Sequence, residues 1–179
     1  VYKRQRVFNA NDVLYISNTL DTNRDWSEKG TRSQSFSYSI PYGKNRLTIS
    51  HSRNWYNQLV FSKPYDFTSS GKSQTSRVSL EHMISRSQTE RRSMDITVSK
   101  RDSHYFINDA EIPVQAMNTS ALEIGFNDRI YFGRNTLYLR LAHKQGMGWF
   151  GAQKENEYPD APKTRYQMWL FDVDWYQPF

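Results

Sequence analysis

SFSYSIPYGKNRLTIS, residues 35–50, alternates polar and apolar side chains on both sides of a short turn. Before the turn, Ser35, Ser37 and Ser39 oppose Phe36, Tyr38 and Ile40, and after it Thr48 and Ser50 oppose Leu47 and Ile49. A period of two residues is typical of a β-strand, and a Pro-Tyr-Gly-Lys-Asn sequence is typical of a tight turn. The stretch therefore predicts an antiparallel hairpin with one polar and one apolar face.

The same period recurs eight times along the 179 residues. It predicts strands near 12–19, 32–41, 46–54, 75–86, 91–101, 119–128, 135–144 and 164–177, and residues 1–8 fit the end of a further strand. The apolar sets after the hairpin are Val78, Leu80 and Ile84 (interrupted by His82), then Met94, Ile96 and Val98, then Leu122, Ile124 and Phe126, then Leu137, Leu139 and Leu141, and finally Trp169, Phe171, Val173 and Trp175. No segment reads as a long amphipathic helix, so we expect an all-β, antiparallel fold.

The connections between these strands alternate in length. Residues 41–45, 87–91 and 131–135 are short and turn-like, whereas 20–31, 55–74, 102–118 and 145–163 are long and polar. Several strands approach the ~9–11 residues that a tilted strand needs to cross a bilayer. Outer-membrane barrels have short turns at one end and long loops at the other. The alternation therefore favours a transmembrane β-barrel over a soluble meander.

Composition excludes some classes of protein. Cysteine is absent, which excludes disulfides and thiolate metal sites, and a mean hydropathy of −0.84 excludes a helical membrane protein. No apolar run reaches the ~20 residues of a spanning helix, and no signal peptide is recognisable. An opening without Met suggests a mature product or an excised fragment. The net charge of +6 comes from scattered Lys and Arg, so ordinary solvated charge is favoured over binding to nucleic acid or anionic lipid.

Aromatic residues gather near predicted strand ends. They are Trp55, Tyr56, Trp149, Phe150, Trp175, Tyr176 and Phe179. In a membrane barrel such residues form interfacial girdles, and in a soluble protein they would close the ends of a β core. They favour the membrane interpretation only slightly.

The polar face has two interpretations. In a soluble sandwich it would contact water while the apolar face packs a core, and in a barrel it would line a wet lumen while the apolar face contacts lipid. Strand length and loop alternation favour the barrel. The predicted lumen-lining residues are then Ser35, Ser37, Ser39, Thr48, Ser50, Arg77, Ser79, Glu81, Asp95, Thr97, Glu123, Asn127, Arg140, Asp172 and Asp174. The alternatives are a soluble, ligand-binding β-barrel or sandwich, and a barrel that acts as a surface adhesin or receptor without export.

Catalytic and metal sites find little support in the sequence. Asp172 and Asp174 copy an Asp-x-Asp metal spacing, but they lie on the polar face of a strand, where solvated carboxylates are ordinary. His51, His82, His104 and His143 have no partner at ligand spacing. GMGWFG (146–151) lacks the Lys-Ser/Thr ending of a phosphate-binding loop, and no serine lies in a G-x-S-x-G motif. We therefore expect no enzyme activity, cofactor, metal or nucleic-acid partner.

Three longer stretches resemble one family. They are GTRSQSFSYSIPYGKNRLTISHSR (30–53), DAEIPVQAMNTSALEIGFNDRIYFGRNTLYLRLAHKQGMGWFGA (109–152) and DAPKTRYQMWLFDVDWYQPF (160–179). Their order, the Pro-Tyr-Gly turn, the Trp-Phe-Gly-Ala sequence and the Pro-Phe ending are similar to those of the two-partner secretion transporters, the outer-membrane haemolysin-activator family.

The resemblance implies an outer-membrane location, contact with lipid and a secreted partner exoprotein, such as a haemolysin or adhesin, that the protein exports and activates. It also implies a sixteen-stranded barrel with preceding periplasmic POTRA domains, a plug helix and a loop with an Arg-Gly-Tyr motif. Residues 1–179 show no POTRA pattern and no such triplet, so they are expected to be a barrel segment resembling roughly the first half. Eight strands could close, stay open or pair with further strands, and an open sheet in lipid is the least favoured because edge groups would lack partners.

Overall fold

The computed structural model describes residues 2–5, 11–21, 30–155 and 163–178, which form one ten-stranded antiparallel sheet. Its strands are β1 (Tyr2–Gln5), β2 (Val13–Leu20), β3 (Gly30–Tyr42), β4 (Asn45–Val60), β5 (Phe67–Arg86), β6 (Glu90–Ile107), β7 (Ala110–Glu111), β8 (Met117–Phe132), β9 (Asn135–Met147) and β10 (Gln167–Tyr176). A single 3₁₀ turn is described, at Pro113–Gln115. Within the described residues, no helix is long and apolar enough to cross a membrane.

The strands lie side by side in chain order, which makes the sheet a continuous meander. Short β7 pairs only with β6. Strand β8 pairs with the same side of β6 as β7 does, and β5 pairs with the opposite side. Strand β1 forms one edge and β10 the other, and no ladder joins these two edges within the described ranges. All eight predicted strands are confirmed, as is the further strand near the start of the chain. The strands that the structure describes thus form an open sheet.

Two predicted loops are largely strand. Residues 55–60 and 67–74 extend β4 and β5, and residues 102–107 extend β6. The prediction of long loops at 55–74 and 102–118 was wrong because these extensions carry polar residues on both faces and so show no alternation. Backbone ladders nevertheless pair them, from Val60 opposite Phe67 onward. Connection length still alternates between short and long. The short connections are residues 43–44, 87–89 and 133–134, and the longer ones are 61–66, 108–116 and 148–166. Most of the predicted loop 20–31 lies outside the described residues.

Two of the short turns share one design. Tyr-Gly-Lys-Asn joins β3 to β4, and Phe-Gly-Arg-Asn joins β8 to β9. The glycines, Gly43 and Gly133, have φ of 57° and 59°, a region in which a side chain is strained. Two-residue hairpin turns need this left-handed geometry because it matches the twist of the strands. These turns fix the register of both hairpins.

The register separates two faces of the sheet, which we call the polar face and the apolar face. Ser39, Thr48, Ser79, Thr97 and Glu123 lie directly opposite one another across five strands on the polar face. The adjacent row, on the apolar face, is Ile40, Leu47, Leu80, Ile96 and Ile124. Because partners in a ladder share a face, the alternation seen in each strand continues across the whole sheet.

One predicted member of the apolar set, Ile84, lies at a bulge. The ladder between β5 and β6 shifts between Met83 and Ser85, so Ile84 has no partner opposite it. A bulge of this kind reverses the parity of the residues beyond it. Ser85 then lies opposite Arg92, and the uninterrupted apolar alternation of β5 ends at the bulge.

Curvature makes the polar face the concave one. On it Ser93 and Asp95 are buried, as are Ala121 and Ala142, the buried apolar residues of the described ranges. On the apolar face, by contrast, Leu80 is 48% exposed, Ile96 49% and Phe171 69%. The large apolar side chains therefore pack no core, and they form a continuous convex surface.

The aromatic residues are distributed over both faces. Adjacent strand residues point to opposite faces, so Trp55 and Tyr56 lie on the apolar and polar faces respectively. Trp55 lies inside β4 and not at its end, because the strand continues to Val60. Trp175 does lie near the end of β10, where its ring centroid is 6.2 Å from that of Phe132. Trp149 and Phe150 lie in the connection 148–166, and Phe179 lies outside the described residues.

Candidate functional site

The register brings every predicted lumen-lining residue onto the polar face. On β3 to β6 this face is a lattice of small hydroxyls. The Ser39 and Thr48 oxygens lie 3.1 Å apart, and the Thr97 hydroxyl donates to Ser79 at 2.8 Å. In each pair the two hydroxyls hydrogen-bond to one another and still present lone pairs to water. At these four hydroxyls the polar face is hydrophilic without carrying charge.

Toward β9 the polar face carries a network of charges, which we call the Arg140 cluster (Asp95, Glu123, Asn127, Tyr138 and Arg140). The Arg140 guanidinium donates to Asp95 Oδ1 at 2.6 Å and to Glu123 Oε1 at 2.6 Å. Asn127 donates to Asp95 at 2.8 Å while its own oxygen accepts from Tyr138 at 2.8 Å. These contacts join β6, β8 and β9 through side chains and fix the position of Arg140.

Small residues make room for the Arg140 side chain, which extends from β9 across β8 to Asp95 on β6. Asp95, Gly125 and Ala142 lie opposite one another on β6, β8 and β9, so Arg140 can lie flat over β8. A Cβ at Gly125 would come within 2.7 Å of the Arg140 guanidinium and 2.8 Å of Asp95 Oδ1. The missing Cβ of Gly125 thus leaves room for the close approach of the Arg140 and Asp95 side chains, which is one physical reason for glycine inside a strand. Alternation along β8 places Gly125 on the polar face but does not reveal this contact.

A groove of about 450 Å³ lies on the polar face beside the Arg140 cluster, toward the short turns. Its lining residues are Arg46, Thr48, Ser79, Glu81, Arg91, Ser93, Asp95, Thr97, Asn127, Arg129, Tyr138 and Arg140. Arg91 is 3.3 Å from Glu81, and the Arg129 guanidinium lies 5.5 Å from the centre of the Tyr138 ring. Sequence reasoning missed Arg46, Arg91 and Arg129, although each falls on the polar parity of its strand.

Other predicted residues lie apart from this groove. Arg77 and Ser50 are opposite each other and line a second groove of about 410 Å³. Asp172 and Asp174 are opposite Arg140 and Tyr138 on the edge strand β10. In the part of the chain that the structure describes, neither Asp is in an ion pair, and no cluster of three or more metal-ligating side chains is found.

The apolar face also contains a charged group that the sequence did not reveal. Arg92 and Asp128 are opposite each other near the short turns, with Nε 3.3 Å from Oδ2, and Arg92 also contacts Glu90. Pairing of this kind lowers the cost of placing charge beside apolar surface. The pair lies at the edge of the apolar face that is nearest the short turns, where polar surroundings begin.

An exposed apolar convex face, a polar concave face and alternating short and long connections define a wall segment of an outer-membrane type of β-barrel. The sequence model of the haemolysin secretion/activation proteins ShlB/FhaC/HecB matches residues 3–179, so the chain belongs to that family. The resemblance inferred from the sequence motifs is confirmed.

Curated relatives agree with this assignment. The chain is 28% identical over 170 residues to outer membrane transporter CdiB-2 of Burkholderia pseudomallei (strain 1026b), covering 94% of the chain and 29% of the relative. It is 24% identical over 142 residues to outer membrane transporter CdiB of Dickeya dadantii (strain 3937), covering 79% of the chain and 25% of the relative. The chain thus spans less than a third of the relatives' length, and an outer-membrane location is confirmed.

Solved structures match the fold. CdiB from Escherichia coli superposes with a TM-score of 0.84 at 21% identity, covering 93% of this chain and 31% of that one. CdiB from Acinetobacter baumannii superposes with a TM-score of 0.76 at 28% identity, covering 96% of this chain and 30% of that one. The predicted antiparallel barrel-type fold is confirmed.

Proposed function

We propose that this segment forms part of the wall of an outer-membrane pore that exports and activates a large partner exoprotein in two-partner secretion. The observation that carries the proposal is that the apolar face of the sheet is exposed and the polar face is shielded, in a member of the haemolysin secretion/activation family. The family description suggests a haemolysin as the partner, and an adhesin is the alternative that we propose. The apolar face would contact outer-membrane lipid and the polar face would contact water and the moving chain.

The polar face suits a conduit for unfolded polypeptide. Hydroxyls such as Thr48 and Ser79 hydrate the wall and exchange weak hydrogen bonds with a passing chain. A continuous apolar wall would trap apolar segments of that chain, because burying them is favourable by ~25 cal/mol per Å². Arg140 is held by Asp95 and Glu123, and Lys144 lies 4.0 Å from Glu123, so these charges are paired with one another and hold no tight site for the chain. No covalent step is needed, and we propose that the segment is not an enzyme.

The rival soluble interpretation does not fit the apolar face. A ligand-binding sandwich buries its apolar side chains in a core, whereas Leu80 and Ile96 are about half exposed here, at 48% and 49%. A surface adhesin or receptor built on a barrel would share both faces and therefore needs a functional test.

Deletion and complementation in the source bacterium tests the proposal. The full-length gene is deleted, and the large secreted protein encoded beside it is measured in the medium and in the periplasm. Export should stop on deletion and return on complementation with the full-length gene. Unchanged export in the deletion strain would reject the transport function and favour an adhesin or receptor. Cell fractionation gives a second check, since the protein should require detergent and show heat-modifiable gel mobility.

A further inference from the structure

The groove beside the Arg140 cluster carries an excess of positive charge. Four arginines and two carboxylates line it. Arg140 is engaged by Asp95 and by Glu123, and Arg91 is engaged by Glu81. Arg46 and Arg129 remain, and no carboxylate lies within 4.0 Å of either among the residues that the structure describes. The groove therefore offers two cations that its own acids do not neutralise.

Neighbouring charges strengthen this excess. Arg86 lies opposite Arg91 and lines an adjoining groove with it, close to the turn between β5 and β6. The acids of β10, Asp172 and Asp174, lie beyond β9 and do not line the basic groove. This sector of the polar face thus has a positive field over its last residues before the short turns.

The spacing of the cations suits an extended chain. Arg46, Arg91 and Arg129 belong to β4, β6 and β8, and neighbouring strands are ~4.8 Å apart. With β5 between β4 and β6, Arg46 and Arg129 are three strand spacings apart, ~14 Å, and every fourth side chain of an extended peptide repeats at ~13.6 Å, which is comparable. Each guanidinium can donate two parallel hydrogen bonds to one carboxylate. A peptide with acidic residues at alternate positions can therefore contact more than one arginine at once.

We propose that this groove binds an acidic segment of the exported polypeptide, with Arg46 and Arg129 as its main contacts. The inference rests on the proposed export function, under which the short turns face the periplasm and the groove lies at the entrance. Binding there is weak and reversible, since exposed ion pairs contribute little each and salt screens them. Its role is to concentrate the incoming chain at the wall.

Fluorescence anisotropy tests the proposal on the detergent-solubilised full-length protein. The probes are a labelled decapeptide of alternating Asp and Ser and its neutral counterpart of alternating Asn and Ser. Wild type should bind the Asp peptide and not the Asn peptide, and binding should vanish in strong salt. The double variant Arg46→Gln/Arg129→Gln should lose affinity about tenfold, as expected for two exposed pairs.

A matched double variant separates the groove from net charge. Arg77→Gln/Arg101→Gln removes the same charge from another part of the polar face, where both residues line a different groove. It should change the affinity less than about twofold because it leaves the basic groove intact. Equal losses in the two double variants, or equal binding of the two peptides by wild type, would overturn the proposal. Gel mobility shows whether each variant is folded, and the wild-type peptide comparison stands if one is not.

Export by the same wild-type protein keeps the two proposals apart. Normal export without selective binding of the Asp peptide rejects the acidic-segment site alone. Selective binding without export of the neighbouring exoprotein rejects the transport function.

Discussion

Replacing Ile49 by Arg places a charge on the convex surface at the depth where lipid should exclude it best. Ile49 lies on the apolar face, is 43% exposed, and stands five residues beyond the turn residue Lys44. With a rise of ~3.4 Å per residue and a tilt of ~40°, that is ~13 Å from the turn, near the middle of a ~25 Å apolar band. An Arg at the midplane costs about 2–4 kcal/mol, a factor of roughly 30 to 1000 in the folded-to-unfolded ratio.

The matched control is Ser37→Arg on the neighbouring strand. Ser37 lies opposite Ser50 on the polar face at nearly the same height, so its Arg would enter the concave side. That change should cost less than about 1 kcal/mol because water surrounds the new charge. Urea titration of the full-length protein folded into phosphatidylcholine vesicles, with folded fraction read from gel mobility, gives both free energies of unfolding.

Equal small costs for the two variants would refute the assignment of the apolar face to lipid. On a soluble protein an exposed Ile→Arg change alters stability by only about 0.5 kcal/mol. A larger cost for Ser37→Arg than for Ile49→Arg would show that the faces are inverted, with the apolar face inside.

Three further predictions concern the polar face. Arg140→Met leaves Asp95 and Glu123 without their guanidinium and should destabilise the full-length protein by about 1–3 kcal/mol in the same urea assay, while Arg77→Met should change it by less than about 0.5 kcal/mol. Gly125→Ala forces its Cβ against Arg140 and should cost about 1–3 kcal/mol, measured as a lower thermal midpoint. Charge reversal in Arg77→Glu and Arg140→Glu should each alter single-channel conductance of the full-length protein in planar bilayers, and unchanged values in both would show that neither residue lines the pore.

Much of the fold was predictable because local patterns encode it. Period-two alternation located the strands, and turn residues such as Gly43 and Gly133 located the hairpins. The extensions of β4, β5 and β6 escaped prediction since polar residues occur on both of their faces and so give no regular alternation. The bulge at Ile84 escaped it too, because a register shift depends on the partner strand and not on the strand itself.

Alternation along each strand predicted on which face the site residues lie, but it did not predict which of them contact one another. Parity placed Asp95, Glu123 and Arg140 on one face, but 45 residues separate Asp95 from Arg140. Their meeting depends on the register across β6, β8 and β9 and on the space above Gly125. The basic groove was missed for the same reason, since its arginines come from separate strands.

By itself, the sequence determined the strands, the hairpin turns and the two faces of the sheet, starting from SFSYSIPYGKNRLTIS. Alternation alone could not determine which face is concave, because it is unchanged when inside and outside are exchanged, and strand length and loop lengths only favoured the polar one. The tertiary structure decided this through curvature, which shields Ser93 and Asp95 and exposes Ile49 and Ile96. Curvature arises from the twist and stagger of many paired strands, so it belongs to the sheet as a whole and to no single segment.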